Sequence, residues 1–502
     1  MSANYQAQTA KGVVWMLLFK WVERGLGFIS TLMLVRLLTP ADFGMVSMAL
    51  SFIFMAEMLA AFSFDVALIQ NPNATRDHYN SAWTANVMLG SGIAIGMLAL
   101  ALPISHFYKQ PSVLPVICVL ALGPLTSALE NIGVVAFRKE LDFRKEFTYQ
   151  VTRKVIGFCV TIPLAFTLRS YWALVAGILA SKLGGTVMSY WVHPFRPRFS
   201  FKELMALLHF SKWLLLNNLV NFLKERSTDF LIGRFFGPAP LGIYNVNKEF
   251  ASLPANEMGM PMNRALLPGF AKTAGDLGAF RSMYTGSSAL IALIAIPAGA
   301  GIFAVAHYLV PVALGKQWLS GVPVMEILSL QSSIMVFHGT IVTALVALGK
   351  PAGATKISAL FVLLLVAGVF ALTGKFGPLG AAIAVLAATI ITTPLYLMQL
   401  KAYGGVPFSN FLRVTLRPWL ASGVMIAVVR LALPHYDIAM SNAYAGLMLG
   451  VGVAVGGVTY ALSLGGIWLA LGRPAGPETQ LIDQVRSRAP AWMPVIGRKP
   501  AA

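Results

Sequence analysis

The stretch RLLTPADFG at residues 36–44 occurs a second time, in altered form, as RFFGPAPLG at residues 234–242. Four of the nine positions agree, and an apolar pair follows the arginine in both copies. The same offset of 198 residues places Trp15 on Trp213, near the start of the preceding apolar segment in each half. This pattern indicates an internal duplication in which both copies have the same orientation.

The composition around these stretches is that of a membrane protein. Of the 502 residues, 57% are apolar and only 11% are charged, and the mean hydropathy is +0.72. A soluble protein has about 25% charged residues, so a soluble fold of this size could not cover its apolar surface. The composition excludes a cytoplasmic enzyme, a secreted domain and a disordered chain.

The apolar runs are continuous and rich in Leu and Ala, which favours membrane helices over the alternating strands of a barrel. Gly and Pro within the runs are tolerated in such helices. The first run is too long for a signal peptide, so we interpret it as a retained span. Fourteen spans are predicted, at residues 13–35, 44–68, 83–106, 113–137, 149–168, 171–192, 209–235, 242–268, 284–308, 323–348, 356–374, 379–400, 418–434 and 444–470.

Six predicted spans separate the two copies of the repeat, which predicts two six-helix lobes related by a pseudo-two-fold axis. The predicted fold is an all-α integral membrane protein with about 14 transmembrane helices. Its predicted divisions are an N-terminal lobe at 1–208, a C-terminal lobe at 209–405, two extra spans at 406–471 and a basic cytoplasmic tail at 472–502.

The distribution of Lys and Arg predicts the orientation. With the N-terminus inside, the cytoplasmic segments hold 21 Lys and Arg residues and the opposite side holds 6. Because cytoplasmic loops are enriched in these residues, both termini are predicted to be cytoplasmic in a bacterial inner membrane. The net charge of +19 then reflects basic loops and not a nucleic-acid-binding domain.

Charged and amide side chains inside spans 1, 2, 7 and 8 are the candidate functional residues. A charge at the middle of a bilayer costs at least about 2.5–3.5 kcal/mol, so such residues face a wet cavity or a partner. The alternative for any single residue is a structural ion pair within the bundle. The candidate substrate-binding residues are Lys20, Arg24, Asn217, Asn218, Asn221, Lys224, Asn245, Lys248 and Asn256, and the candidate ion-coupling residues are Glu57, Asp65, Glu225, Asp229, Glu249 and Glu257.

The sequence offers no catalytic constellation. It has no HExxH motif, no phosphate-binding glycine motif and no loop large enough for a catalytic domain, so we predict that the protein is not an enzyme and uses no cofactor or metal. Cys118 and Cys159 lie in apolar runs and are interpreted as buried thiols.

Seven motifs follow one another along the chain: VRLLTPADFG (35–44), ALIQ (67–70), FRKELDF (137–143), IGRFFG (232–237), LGIY (241–244), GKQW (315–318) and ALGK (347–350). Together they resemble the motifs of a known family, the Wzx-type polysaccharide flippases of the multidrug/oligosaccharidyl-lipid/polysaccharide exporter superfamily. The resemblance covers residues 10 to 405, and the Glu23–Phe28 segment is similar to an element of the related lipid II flippases.

The resemblance implies translocation of an undecaprenyl-pyrophosphate-linked oligosaccharide to the periplasmic leaflet for lipopolysaccharide, capsule or exopolysaccharide synthesis. The mechanism would be alternating access, driven by an ion gradient because no ATP-binding motif is present. The implied partners are the lipid-linked oligosaccharide, membrane lipids, and the polymerase and chain-length machinery of the same pathway, with no nucleic acid.

Two alternatives remain open from the sequence. A multidrug or cation antiporter of the same superfamily would favour an aromatic, acidic cavity over one with Lys, Arg and many Asn residues. An O-antigen polymerase or ligase would need a large periplasmic loop, whereas the longest predicted external loop lies near residues 309–322.

Overall fold

The computed structural model describes residues 2–59, 64–71, 73–204 and 212–472. Within these ranges the chain is helical and contains no strand. The helices are α1 Ser2–Leu37, α2 Pro40–Leu59, α3 Phe64–Gln70, α4 Arg76–Tyr108, α5 Val113–Leu120, α6 Leu122–Ala128, α7 Val135–Lys139, α8 Phe143–Leu168, α9 Trp172–Val192, α10 Lys212–Phe236, α11 Pro238–Ala251, α12 Met260–Thr273, α13 Leu277–Leu309, α14 Val322–Ala347, α15 Pro351–Phe376, α16 Pro378–Gly404, α17 Phe408–Ala432 and α18 Asn442–Ala470.

Ten of the described helices are long and apolar enough to cross a membrane. The pair Val113–Ala128 and Ile132–Lys139, bent by 61° at its break, meets the same length and hydropathy criterion when its two parts are taken together. The three other predicted spans, 13–35, 209–235 and 242–268, are charge-rich or broken and do not meet the same criterion. The prediction of an all-helical, multi-span membrane protein is confirmed, while the count of fourteen stays a prediction.

The helices form two compact units. The first contains Met1–Val246, Ala313–Ser320 and Thr373–Ala381, and the second contains Asn247–Val312, Gly321–Leu372 and Ala382–Ala502. The first unit therefore runs beyond residue 208 and includes α10. The lobe boundaries drawn from the repeat stay a prediction, and the tail beyond Gly472 lies outside the described residues.

In the first unit, the two copies of the repeated stretch pack against each other. Pro40 and Pro238 each begin a helix, where a proline with its fixed φ and missing N–H is well suited. A Cβ on Gly44 would lie 1.7 Å from the carbonyl oxygen of Pro238, and a Cβ on Gly242 would lie 1.9 Å from that of Pro40. Only glycine permits this approach at either site, so the repeat is also a reciprocal contact between the two helix starts.

The loop at 313–320 caps the end of α1. The indole Nε1 of Trp318 donates to the carbonyl oxygen of Val35 at 2.8 Å, and Gln317 Nε2 donates to Val35 and Leu38 at 2.6 and 3.0 Å. Trp318 is fully buried and its ring lies edge-on to Phe43. The last carbonyls of a helix have no partner within it, and these two side chains supply their donors.

The break in the fourth predicted span is held by α9. The side chain of Asn131 caps the short 3-10 helix Ile132–Val134 by accepting a hydrogen bond from the Gly133 N–H. Asn131 also donates two hydrogen bonds to Ser189 of α9, from its backbone N–H to Oγ at 2.9 Å and from Nδ2 to the carbonyl oxygen at 3.5 Å. The hydroxyl of Tyr190 donates to the carbonyl of Leu129 at 2.9 Å. Side chains of α9 thereby satisfy backbone groups that a broken helix leaves open inside a membrane.

The second unit is organised around α13, which packs with α14, α17 and α18. A hydrophobic cluster that includes Ala300, Val305 and Val429 joins α13 to the two C-terminal helices. The hydroxyl of Tyr308 donates to Pro434, and that of Tyr460 to Leu293. The two extra spans are thus fixed by apolar contact and by hydrogen bonds between helices.

Candidate substrate-binding site

Lys20 and Arg24 lie one turn apart on α1, and both side chains are exposed. Glu23, between them in sequence, forms an ion pair with Lys154 of α8 at 3.2 Å. The structure therefore directs Glu23 to the neighbouring helix α8 and leaves the two predicted cations on a different face of α1. An exposed cation in the apolar part of a span needs water or an anionic ligand.

The polar face predicted for α10 is partly described. Asn217 and Asn218 fall on this helix, but their side chains lie outside the described residues. Asn221 and Glu225 are exposed, whereas Lys224 is partly buried and lies in the electrostatic field of Glu225. The helix therefore presents an amide and a carboxylate in a position where lipid contact is unfavourable.

Asp229 is the most buried of the predicted acids, with 1% of its side chain exposed. Its Oδ2 accepts a hydrogen bond from Arg226 Nη1 at 3.1 Å, and its Oδ1 accepts none from the described residues. Tyr108 of α4 and Tyr244 of α11 lie within electrostatic range of this carboxyl. Arg226 also lies over the ring of Phe54 at 4.8 Å.

The remaining candidates on the eighth predicted span surround a π-helical turn, Ala255–Gly259, that follows Pro254. Asn256 and Glu257 lie on this turn and are exposed, and Asn256 Nδ2 donates to Ser252 at 3.1 Å. Short π-helical segments often occur at functional sites. Asn245 and Lys248 on α11 are partly buried, and Glu249 is exposed.

Two predicted acids are paired with cations from distant helices. Glu57 Oε1 accepts a hydrogen bond from Lys182 Nζ at 2.9 Å, and Gly123 packs against the Lys182 side chain. Asp65 Oδ2 accepts a hydrogen bond from Arg138 Nη1 at 3.2 Å. Both pairs join elements of the first unit that are more than seventy residues apart in sequence.

The sequence did not identify Lys182 and Arg226 as the cations that pair with Glu57 and Asp229. It also did not indicate the ion pair between Arg153 and Glu130. Arg153 reaches Glu130 at 3.6 Å and lies against Gly185, where a Cβ would stand 2.9 Å from Arg153 Cδ. The available signal was simple, because opposite charges inside apolar spans tend to pair with each other. The sequence alone did not indicate which helices are neighbours.

Asp142 and His193 lie outside the spans and have shifted pKa values. Burial would raise the pKa of Asp142, but hydrogen bonds from Lys145 and its charge hold that pKa below the ordinary value. Burial lowers the pKa of His193, which follows the end of α9, and Lys145 lowers it further although Glu140 raises it. The imidazole of His193 accepts a hydrogen bond from the Phe195 N–H at 3.2 Å.

The exposed groups can bind an anion and hydroxyl groups. Guanidinium and ammonium groups suit phosphate oxygens, while amides both donate to and accept from sugar hydroxyls. In the described ranges, no group of three or more His, Cys, Asp or Glu residues could hold a metal ion.

In the described part of the chain, ten apolar helices, together with helices that carry exposed charges and amides, are the features of a multi-pass membrane transport protein. The chain belongs to the polysaccharide biosynthesis protein family, whose model matches residues 33–323. It is 26% identical to the succinoglycan biosynthesis transport protein ExoT of Rhizobium meliloti, over 98% of this chain and 99% of that protein. It is 23% identical to the lipopolysaccharide biosynthesis protein WzxC of Escherichia coli, over 83% and 85% of the two chains.

The fold is similar to that of the lipid II flippase MurJ in an inward closed conformation. The TM-score is 0.73 at 14% identity, with 91% of this chain and 99% of that chain covered. The names of these relatives are those of a transport protein and a flippase, and the prediction that this chain is not an enzyme agrees with them. The predicted polysaccharide family is confirmed, while the superfamily stays a prediction.

Proposed function

We propose that the protein is a flippase that moves an undecaprenyl-pyrophosphate-linked oligosaccharide from the cytoplasmic to the periplasmic leaflet of the bacterial inner membrane. The observation that carries the proposal is the exposure of Lys20, Arg24 and Asn221 within helices of a membrane protein. Bare pyrophosphate and sugar hydroxyls are costly in hydrocarbon. Exposed cations and amides replace the water that such a headgroup loses.

In this proposal, Lys20, Arg24, Lys224 and Lys248 neutralise the pyrophosphate. The asparagines Asn217, Asn218, Asn221, Asn245 and Asn256 hydrogen-bond the sugars. Arg24 is the central residue, because a guanidinium is always charged and offers a planar fork of donors to phosphate oxygens. The names of the relatives, which include succinoglycan and lipopolysaccharide biosynthesis, support a glycan as the cargo.

Orientation and partners belong to the same proposal. The excess of Lys and Arg in alternate loops supports cytoplasmic termini. The oligosaccharide would then be passed to the polymerase and chain-length machinery of the same pathway. Transport would proceed by alternating access and be driven by an ion gradient.

Among the six candidate ion-coupling acids, we favour Asp229. Glu57 and Asp65 are each paired with a cation, as Asp229 is with Arg226, but their side chains are 30% and 37% exposed. Glu225, Glu249 and Glu257 are exposed. Asp229 is buried, with one oxygen on Arg226 and the other without a hydrogen-bond donor among the described residues. A proton or a monovalent cation on that second oxygen would complete the site.

The test is glycan export in a deletion strain that expresses variants at equal membrane levels, checked by immunoblot. Arg24→Ala should abolish export, and Arg24→Lys should retain part of it because the charge stays and the bidentate geometry is lost. Lys375→Ala, at an exposed lysine near the end of α15, is the control and should export normally. Full export by a normally expressed Arg24→Ala variant would reject Arg24 as the pyrophosphate contact.

A second measurement separates this function from the alternatives. In the deletion strain, the lipid-linked repeat unit should accumulate in the cytoplasmic leaflet. Repeat units that reach the periplasmic leaflet but remain unpolymerised would instead indicate a polymerase. Normal glycan export combined with drug sensitivity would indicate a multidrug antiporter.

A further inference from the structure

The N-terminal helix α1 packs on α8 along one face. The ring of Trp15 lies 5.1 Å from that of Phe147, and Phe19 approaches the same ring edge-on at 6.5 Å. One turn further on, Glu23 pairs with Lys154 of α8. At about 100° per residue, these three positions span one side of the helix.

The opposite side of α1 is exposed, and its cationic and aliphatic residues lie on separate flanks. Its first flank carries Lys20 and Arg24, about 40° apart around the helix. Its other flank, further round the helix, carries Leu18, Val22 and Ile29, all exposed.

Trp21 and Phe28 occupy the middle of this exposed side, between the cationic and the aliphatic flank. Trp21 is 78% exposed and Phe28 is 44% exposed. A Cβ built on Gly25, one turn after Trp21, would meet nothing within 4 Å.

The two flanks require different surroundings. Lys20 and Arg24 need water or anions, whereas Leu18, Val22 and Ile29 are suited to lipid chains. The boundary between an aqueous space and the hydrocarbon of the bilayer therefore runs lengthwise along α1. Trp21 and Phe28 lie on that boundary, and aromatic side chains are favoured where apolar and wet surroundings meet.

We propose that Trp21 and Phe28 form the binding site for the first isoprene units of the substrate's polyprenyl chain, with the pyrophosphate on Lys20 and Arg24. This inference rests on the proposed function and adds a lipid subsite to it. The proposed substrate carries an anionic pyrophosphate next to an unsaturated hydrocarbon chain, and its anionic part complements the charge of Lys20 and Arg24. A cationic flank beside an aromatic strip matches these two parts in the same order.

The experiment uses the full-length protein in nanodiscs and two probes, undecaprenyl pyrophosphate and inorganic pyrophosphate. Binding of each is measured by displacement of a radiolabelled sample. Trp21→Ala and Phe28→Ala should each weaken undecaprenyl pyrophosphate binding about tenfold, the effect of losing one large apolar contact. Neither change should alter binding of inorganic pyrophosphate, whereas Arg24→Ala should weaken both probes.

Trp191→Ala is the matched control, because Trp191 is 85% exposed on α9 and would report a general loss of bilayer contact. It should leave both affinities unchanged. Trp21→Phe keeps an aromatic ring and should retain most of the affinity, which separates loss of contact from loss of folding.

Unchanged binding of undecaprenyl pyrophosphate to both alanine variants would overturn the lipid subsite. The proposed function would stand in that case if Arg24→Ala still weakened binding. An equal loss in Trp191→Ala would also overturn the subsite, because the effect would then be general to exposed aromatics. Absence of binding by the unmodified protein would overturn the proposed function and this inference together.

Discussion

Gly44 and Gly242 occupy equivalent positions in the two copies of one repeated stretch, and each lies against the backbone carbonyl of the proline that begins the other copy's helix. The contact is reciprocal, as expected for an isologous contact between two related elements. It explains physically why the repeat keeps a glycine at its ninth position. The proline supplies the helix start, and the glycine supplies the space for the opposite proline's carbonyl.

Gly44→Ala should therefore destabilise the protein by about 1–3 kcal/mol or more, because the new methyl group would overlap the Pro238 carbonyl. We expect a lower thermal unfolding temperature in detergent and reduced glycan export, with the same result for Gly242→Ala. Gly96→Ala is the control, since a Cβ at Gly96 on α4 meets no atom within 4 Å. An unchanged unfolding temperature for Gly44→Ala would contradict the close packing of the two copies.

Lys182 and Glu57 should behave as one unit. Lys182→Met leaves a partly buried carboxylate without its cation, and Glu57→Gln weakens the hydrogen bond from the ammonium group, so each should cost about 1–3 kcal/mol. The double variant should lose less than the sum of the two single losses, which a double-mutant cycle of unfolding free energies measures. Strict additivity would show that the 2.9 Å contact contributes nothing to stability.

Trp318→Phe should keep the ring packing on Phe43 and remove the donor to Val35. The loss of this one buried hydrogen bond should cost about 1 kcal/mol in unfolding free energy. Trp191→Phe, at an exposed site, provides the comparison and should be neutral. If Trp318→Phe lowers the unfolding free energy no more than Trp191→Phe does, the hydrogen bond from Trp318 to the end of α1 does not contribute to stability.

Asp229→Asn should abolish gradient-driven transport, since an amide cannot take up and release the coupling ion. Export or uptake is measured in vesicles with an imposed proton or sodium gradient, so that the two ions are distinguished. Glu225→Gln, which changes an exposed carboxylate on the same helix, should retain the response. A normal gradient response in Asp229→Asn would shift the coupling role to another of the candidate acids.

His193 should make stability depend on pH in mildly acidic solution. Burial lowers its pKa from 6.5, so the folded protein favours the neutral ring. The associated stability is present above pH 6.5 and is lost as the pH falls through the lower pKa of the folded state. His193→Asn should flatten the unfolding temperature against pH in this range. His435→Asn changes an exposed histidine, and its unfolding temperature should depend on pH as that of the unmodified protein does.

The sequence predicted the helical class, the membrane setting and the paired repeat because these depend on composition and spacing. The choice of α1 and α10 as charged helices followed from the cost of charge in lipid. The partners of Glu57 and Asp65 could not be predicted, since Lys182 and Arg138 lie on elements whose adjacency depends on tertiary packing. The partner of Glu23 could not be predicted for the same reason, because Lys154 lies on α8.

The cap that Trp318 places on α1 also has a consequence for biogenesis. Its donor lies 283 residues after the Val35 carbonyl that accepts it. At a synthesis rate of about 5–20 residues per second, the end of α1 emerges roughly 15–60 seconds before its partner is made. During that interval, water or lipid headgroups at the membrane surface must donate the hydrogen bond to the Val35 carbonyl oxygen. Helix α1 is therefore among the parts of its unit that are completed late, and a chain that stalls before Trp318 leaves the end of α1 without this hydrogen-bond donor.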